Sequence, residues 1–310
     1  MSTAVLDNSR ITKHLGQISD YKDQYDPSLL VAEPRSNNRK HLKIKDDDLP
    51  FVGYDTWNAY EVSGLTDKGL PVAGVAKIVY PCDSPSIVES KSIKLYFNSY
   101  NMYKCGGSPK EVLQFISSRA EEDLSRLLET HVSVHVEQAR ADTTGDSIFI
   151  DDRYTTLELL LNTGDLTDMT VDTYQESPDL LEVVKADSIG RAPGEFINHH
   201  SSLLKSNCRV TSQPDWGDVF ISYKGENIAT PESLLKYIIS FRDECHFHEE
   251  ICETIYVRLM DKLQPERLVV TCLYARRGGI DINPVRASDK SLINKDLINH
   301  HVMHVKTAKQ

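Results

Sequence analysis

The sequence predicts an α+β protein built from two similar modules in tandem. Two observations carry that expectation. Short apolar alternations of the kind that form half-buried strands are interspersed with longer stretches of helical period. The order strand, strand, helix, strand of the first half also returns in the second, as an internal repeat would. With 310 residues, 40% of them hydrophobic, the chain can bury the core that two such units need.

Residues 1–50 are polar and broken by Pro27 and Pro34, and Asp46-Asp47-Asp48 precedes Leu49-Pro50-Phe51. They are expected to form an N-terminal arm with little core of its own. A first module is expected over 51–163. Within it Val72 to Tyr80 and Ile93 to Phe97 alternate like antiparallel strands, with Gly69 and Pro81-Cys82-Asp83-Ser84-Pro85 as turn signals. Ser108-Pro109 then supplies a cap and a first-turn proline, and Val112, Phe115, Ile116, Ala120, Leu124, Leu127 and Leu128 recur at helical spacing. Val132, Val134 and Val136 alternate with Ser133 and His135, the period of a half-buried strand.

Residues 164–200, rich in Asp, Glu, Ser and Gly, are expected to be a linker, and 201–310 a second module. There Val219 to Tyr223 predicts a strand, Ile251, Ile255, Leu259 and Leu263 a helix, and Leu268 to Tyr274 another strand. Trp57 with Val62-Ser63 matches Trp216 with Ile221-Ser222 at a separation of 159. Tyr96, Ser99 and Tyr100 match Tyr237, Ser240 and Phe241 at 141, so the first copy is expected to hold about eighteen extra residues.

A formal charge of −11 argues against a broad nucleic-acid surface, because phosphate neutralisation needs clustered Lys and Arg. The start has no basic-then-apolar pattern and no stretch reaches membrane-spanning length, so a cytoplasmic protein with a small-molecule substrate is expected. The six cysteines contain no CxxC pair and predict reduced thiols.

Four stretches carry candidate chemistry. Ser206-Asn207-Cys208-Arg209-Val210-Thr211-Ser212-Gln213-Pro214-Asp215-Trp216-Gly217 sets a cysteine in a polar turn with an aspartate just beyond a proline. A thiol attacks only as thiolate, which nearby cations such as Lys205 and Arg209 would favour, although a cysteine beside a turn is commonly structural. His246-Phe247-His248-Glu249-Glu250 invites a metal reading, but zinc sites on helices use i, i+4 spacing and no third ligand is apparent, so no metal is expected. Its acidic residues suit a helix start, and one carboxylate could accept the paired N–H donors of a guanine-like edge. Glu89-Ser90-Lys91-Ser92-Ile93-Lys94-Leu95-Tyr96 places Lys91 and Lys94 on opposite faces if it is a strand. Arg276-Arg277-Gly278-Gly279 is a glycine turn that could bring backbone and guanidinium to a phosphate; no GxGxxG occurs.

Together these stretches resemble the long, two-module form of the 7-cyano-7-deazaguanine reductases, a family of nitrile reductases, from about Tyr21 to Arg286. The octet Glu89 to Tyr96, Ser-Asn-Cys followed by Gln-Pro-Asp-Trp-Gly, Phe247-His248-Glu249 and Arg276-Arg277-Gly278-Gly279 carry the likeness. Pro34-Arg35-Ser36-Asn37-Asn38-Arg39 and Leu49-Pro50-Phe51 add to it. The resemblance implies two tandem tunnelling-fold (T-fold) modules, antiparallel sheets with helices packed on one face, a homodimer, and NADPH as cofactor. It also implies Cys208 as a thioimide-forming nucleophile and Asp215 as proton donor. Val88, Glu89, Ser90, His248 and Glu249 would contact the substrate, and Ser90, Lys91, Arg277 and Gly278 the NADPH. Glu232-Ser233 to Tyr237 would be a degenerate second copy of the octet. Arg209, Val285 and the linker near 186–198 depart from the family pattern.

To give a proton near neutral pH, Asp215 is expected to be raised above the ordinary carboxylate range by burial, with Trp216 as an apolar wall beside it. Two rival readings remain open at this point. Glu89, Lys91 and Cys208 could serve a thiol-dependent nitrilase or amidohydrolase, or the chain could be a purine- or pterin-binding module without catalysis.

Overall fold

The computed structural model describes residues 22–138, 153–161, 169–190, 194–303 and 310. The arm supplies β1 (Ala32–Pro34) and α1 (Arg35–Arg39), and a long hairpin of β2 (Val52–Thr66) and β3 (Pro71–Pro81) follows. Then come β4 (Ser86–Val88), α2 (Ser90–Asn98), β5 (Lys104–Gly106), α3 (Pro109–Leu128) and β6 (Ser133–Gln138). Between the halves lie β7 (Thr155–Thr156), α4 (Leu157–Leu161) and β8 (Val183–Lys185). The second half runs β9 (Ile197–Cys208), β10 (Pro214–Lys224), β11 (Asn227–Ala229), α5 (Pro231–Ile239), β12 (Cys245–His246), α6 (His248–Leu263), β13 (Arg267–Tyr274) and β14 (Ile280–Ala287), with α7 (Lys295–Ile298) beyond.

The main sheet is mostly antiparallel, in the order β12-β9-β10-β13-β14-β2-β3-β6, with β5 beside β2 and β7 beside β9. Its central seam joins the halves: β14 pairs with β2 from Ile280 opposite Ala59 to Ala287 opposite Val52. Alternation sorts the side chains. Trp57, Ile78, Ile93 and Ile116 form one buried cluster with α2 and α3, while Val219, Ile221, Ile255 and Val270 form another with α5 and α6. The neighbouring Phe220, Val269 and Leu273 turn to the opposite face, under Ile293 and Leu297. No helix among the described residues is long and apolar enough to cross a membrane.

Several local expectations hold. Ser108 caps α3 by accepting from the Glu111 N–H, Pro109 opens the helix, and the strands at Val219 and Leu268 form where the alternation places them, as does the one expected from Val132, which begins at Ser133. The segment Ile93 to Phe97 is a correction: it is the core face of helix α2, not a strand. Ile93, Tyr96, Phe97 and Tyr100 are buried at i, i+3, i+4 and i+7, and Glu89 caps the helix through the Lys91 and Ser92 amides.

The repeat is present, but one of its two offsets is wrong. At 141, Ser99 Oγ donates to the Tyr96 carbonyl at 2.6 Å just as Ser240 Oγ donates to Tyr237 at 2.7 Å. Ser92 and Ser233 likewise donate to the carbonyls of Glu89 and Thr230. The offset of 159 instead pairs a residue of β2 with one of β10, which is the second strand of its half; Trp57 is buried and Trp216 is 39% exposed. The eighteen-residue insertion disappears, because β3 and β10 are each 11 residues long and α2 and α5 each 9. The counterpart of Glu89 is therefore Thr230, not Glu232. The stretch expected as linker also holds structure: β8 pairs with β11, Leu181 and Ala186 join the second core cluster, and β9 begins at Ile197.

The arm is tied in by charge. Arg35 meets Asp55 at 2.5 Å, Arg39 meets Glu253 at 2.8 Å, and Arg286 bridges Asp55 and Glu253 at 2.9 Å each. All five side chains are buried. Burial alone would raise both acids, and the surrounding guanidiniums, Arg286 foremost, outweigh it and hold both below their ordinary range. One network thus joins the arm, β2, α6 and β14.

Candidate active site

Two hairpin turns and two helix starts converge beside the seam. β9 ends at Cys208, and the turn to β10 is closed by Cys208 N–H to Gln213 O at 2.8 Å and Ser212 N–H to Cys208 O at 2.9 Å, with Ser212 left-handed at φ 54°. β12 runs parallel to β9 and sets His246 beside Cys208, which brings the start of α6 to the thiol. The β13–β14 turn is tight: Arg277 and Ile280 exchange both backbone hydrogen bonds across Gly278 and Gly279, at φ 60° and 78°. A side chain at Gly279 would also meet Glu61 at 2.7 Å. Arg276 and Arg277 part there, Arg276 lying 3.3 Å over the Tyr60 ring and Arg277 entering the cleft.

The cleft has two adjoining chambers that share Glu89, Ser90, Cys208 and Arg277 as walls. The outer one, about 440 Å³, is lined by Lys91, Lys94, Thr211, Gln213 and Gly278 as well. The narrower inner one reaches Val88, Asp215, Phe247, His248 and Glu249, with Trp57 and Ile282 as apolar walls. Every residue expected from the sequence, whether for nucleophile, acid, substrate or cofactor, lines one chamber or both. Lys94 was missed because a strand reading put it opposite Lys91; three residues apart on a helix, the two share a side. Trp57 carried no polar signal that could have marked it.

Electrostatics distinguish the groups. Burial would raise the Cys208 thiol, but hydrogen bonds from Thr211, Arg277 and the Val210 amide outweigh it and lower the thiol below its ordinary range. Lys205 and Arg209 do not supply this help. Lys205 Nζ donates to Asn207 Oδ1 and the Arg242 carbonyl, and Arg209 bonds Asn38 of the arm and approaches Glu250 at 3.4 Å. Asp215 is buried as expected, yet its neighbours are ionic: Arg277 donates to Oδ1 at 2.5 Å and His248 Nε2 lies 3.4 Å from Oδ2. Trp216 is not its wall, since adjacent residues of β10 face opposite sides and Trp216 instead lies under Arg242 at 5.2 Å.

His248 stacks on Tyr274 with ring centroids 3.9 Å apart. Glu249 is only 3% exposed, and its Oε1 has no hydrogen-bond partner among the described residues. Burial, with Asp55 adding to it, pushes Glu249 up to about 8 against the pull of Arg35 and Arg286. His246 is committed elsewhere, with Glu244 and Glu250 each at 3.0 Å from its ring nitrogens. Those carboxylates outweigh the effect of burial and raise it to about 9.

The outer chamber also fits an anionic dinucleotide. Lys91, Lys94 and Arg277 gather there at the amino end of the nine-residue α2, where backbone dipole and cations both favour phosphate.

An α+β protein with a cysteine-centred cleft, cationic on one side and floored by a buried carboxyl on the other, is the class that this fold and site define. Comparison narrows it. A family model described as nitrile reductase, 7-cyano-7-deazaguanine-reductase N-term matches residues 21–136, and one described as QueF-like protein matches 214–292. An NADPH-dependent 7-cyano-7-deazaguanine reductase of Dechloromonas aromatica (strain RCB) is 40% identical over 281 residues, 88% of this chain and 89% of the relative. Proteins of the same description from Legionella pneumophila (strain Lens) and Colwellia psychrerythraea (strain 34H / ATCC BAA-681) are 41% and 39% identical. They cover 89% and 88% of this chain, and the chain covers 89% and 91% of them. The chain belongs to the 7-cyano-7-deazaguanine reductase family of nitrile reductases.

Proposed function

We propose that this chain reduces the nitrile of 7-cyano-7-deazaguanine to the aminomethyl group of 7-aminomethyl-7-deazaguanine, in tRNA queuosine biosynthesis, through a covalent thioimide on Cys208. The observation that carries this reading is the position of Cys208 on the boundary of the two chambers, where a base in the inner one and a cofactor in the outer one would meet.

A nitrile carbon is a poor hydride acceptor, and thiolate addition makes it a better one. Cys208 attacks that carbon while Asp215 gives its proton to the nitrogen. His248, at 3.4 Å, is placed to return a proton to Asp215. Glu249, with its open oxygen, accepts the paired N–H donors of the base, and Glu89 borders the same pocket from the first half. The apolar walls Trp57 and Ile282 hold the ring and exclude water. When bound, NADPH supplies hydride, two equivalents for each nitrile carried to the amine. Ser90, Lys91, Arg277 and Gly278 would hold it, with Lys94 added to that set.

The architecture is proposed as two T-fold modules, 51–163 and 201–310, with an arm over 1–50 and a connection over 164–200, assembled as a homodimer in the cytoplasm. The same order of strands and helices in both halves, and the helices packed against the face that carries both large clusters, support this. Protein, cyano base and NADPH are mixed, and NADPH absorbance and product mass are followed. The amine with two NADPH consumed is expected. Release of ammonia without NADPH loss would make the protein a hydrolase, and binding without turnover a carrier of the base.

A further inference from the structure

We propose that Arg277 is the shared counter-ion of Cys208 and Asp215, the fixed cation along which negative charge passes from sulfur to carboxylate as the adduct forms. The inference rests on the thioimide reading above and assigns Arg277 a task beyond holding a cofactor. Its guanidinium donates to Asp215 Oδ1 at 2.5 Å and hydrogen-bonds the Cys208 sulfur, from a turn that two consecutive left-handed glycines hold tight. A planar fork of donors can serve two acceptors at once, which an ammonium on a flexible stem does less well.

The charge balance explains why one cation is enough. In the reactive arrangement, with the cyano base in place, Cys208 is the anion and Asp215 carries the proton; without the base, the carboxylate competes with the sulfur for the same guanidinium. The S–C bond forms as one π bond of the nitrile breaks, the nitrogen takes the proton from Asp215, and the lost charge on sulfur reappears on the carboxylate. Arg277 faces one anion before the step and one after it, so no new ion pair has to be assembled while the barrier is crossed. When the sulfur is later expelled as thiolate, the same contact receives it.

Other charged groups border the sulfur and must be separated from this effect. They are Glu89, Lys91 and Lys94 at the start of α2, Asp215 on β10, and His246, His248 and Glu249 on β12 and α6. Thr211 in the turn adds a neutral hydrogen bond.

The test is the pH profile of Cys208 alkylation by iodoacetamide, read by peptide mass across roughly pH 5 to 10, so that the exposed Cys245 is counted separately. Wild type is compared with Arg277→Lys and Arg277→Gln, with melting curves to confirm folding. Arg277→Gln should move the thiol midpoint up by about one unit and slow alkylation at neutral pH about ten-fold, with Arg277→Lys in between. Asp215→Asn should shift the midpoint down in wild type and by a different amount in the Arg277→Gln background, as a shared partner requires. An unchanged midpoint in folded Arg277→Gln, or strictly additive shifts, overturns the proposal. Failure of the parent reading shows elsewhere: wild type incubated with the cyano base and no NADPH gains no mass. That result also removes the charge-transfer step, whatever the alkylation profiles do.

Discussion

The two halves begin their first helices in the same way and use them differently. Glu89 and Thr230 both sit at the N-cap, both accept from the amide three residues on, and both are followed by a serine that donates back to the cap carbonyl. Glu89 borders the cleft with a charge, whereas Thr230 brings only a hydroxyl followed by Pro231. The second helices show the reverse. α6 opens with His248 and Glu249 in the inner chamber, while α3 opens with the hydroxyl cap Ser108, then Pro109 and Lys110. Each half lines the cleft with different groups, and the β2–β14 seam brings them together.

The largest expected effect breaks this division at the nucleophile, which the first half does not supply. Cys208→Ala should lose the covalent adduct and at least about a thousand-fold in turnover, by intact mass and NADPH absorbance; preserved reduction would end the thiol assignment. Next comes recognition. In the Cys208→Ala background, Glu249→Gln should weaken binding of the base by about 2 to 3 kcal/mol, while Lys110→Ala, at the matching place on α3, should leave it unchanged by calorimetry. A smaller effect separates the two caps. Glu89→Ala and Thr230→Ala should each cost about 1 kcal/mol of stability in denaturant unfolding, and only Glu89→Ala should also raise KM.

The smallest effect is in pH. Glu249 is raised from 4.5 to about 8 in the folded chain. Its contribution to stability is therefore fully present below pH 4.5 and is lost as pH rises through about 8. A base that needs the carboxylate must displace that proton, so affinity should increase as pH rises toward 8. Proton release, measured by calorimetry in two buffers, should vanish in Glu249→Gln.

Much of this was legible in the sequence because the signals were local. Ser108-Pro109 and the apolar stripe behind it specify α3 without help, and the cysteine and aspartate share one hairpin. Ile93 to Phe97 misled because five residues satisfy a period of two as well as 3.6. Only Tyr100 and the cap at Glu89 decide between them. Trp57 and Trp216 are alike in type but lie on non-equivalent strands, so a matched residue pair did not imply a matched position. The contacts that set the chemistry, Arg277 to Asp215 and Asp55 near Glu249, cross large sequence separations and follow from pairing register, which no motif encodes.

Arg35, Asp55, Glu253 and Arg286 come from four separate stretches, and the pair within each half, Arg35 with Asp55 and Arg286 with Glu253, is joined to the other by Arg286 to Asp55 and Arg39 to Glu253. A half expressed alone would keep its own pair but lose the buried contacts that cross between the halves, Arg286 to Asp55 and Arg39 to Glu253, at up to about 3 to 5 kcal/mol for each. The halves are thus joined by more than the backbone between them. Dividing the gene between them should give aggregates rather than two working pieces, and co-expressing the fragments should restore solubility only when the arm accompanies the first.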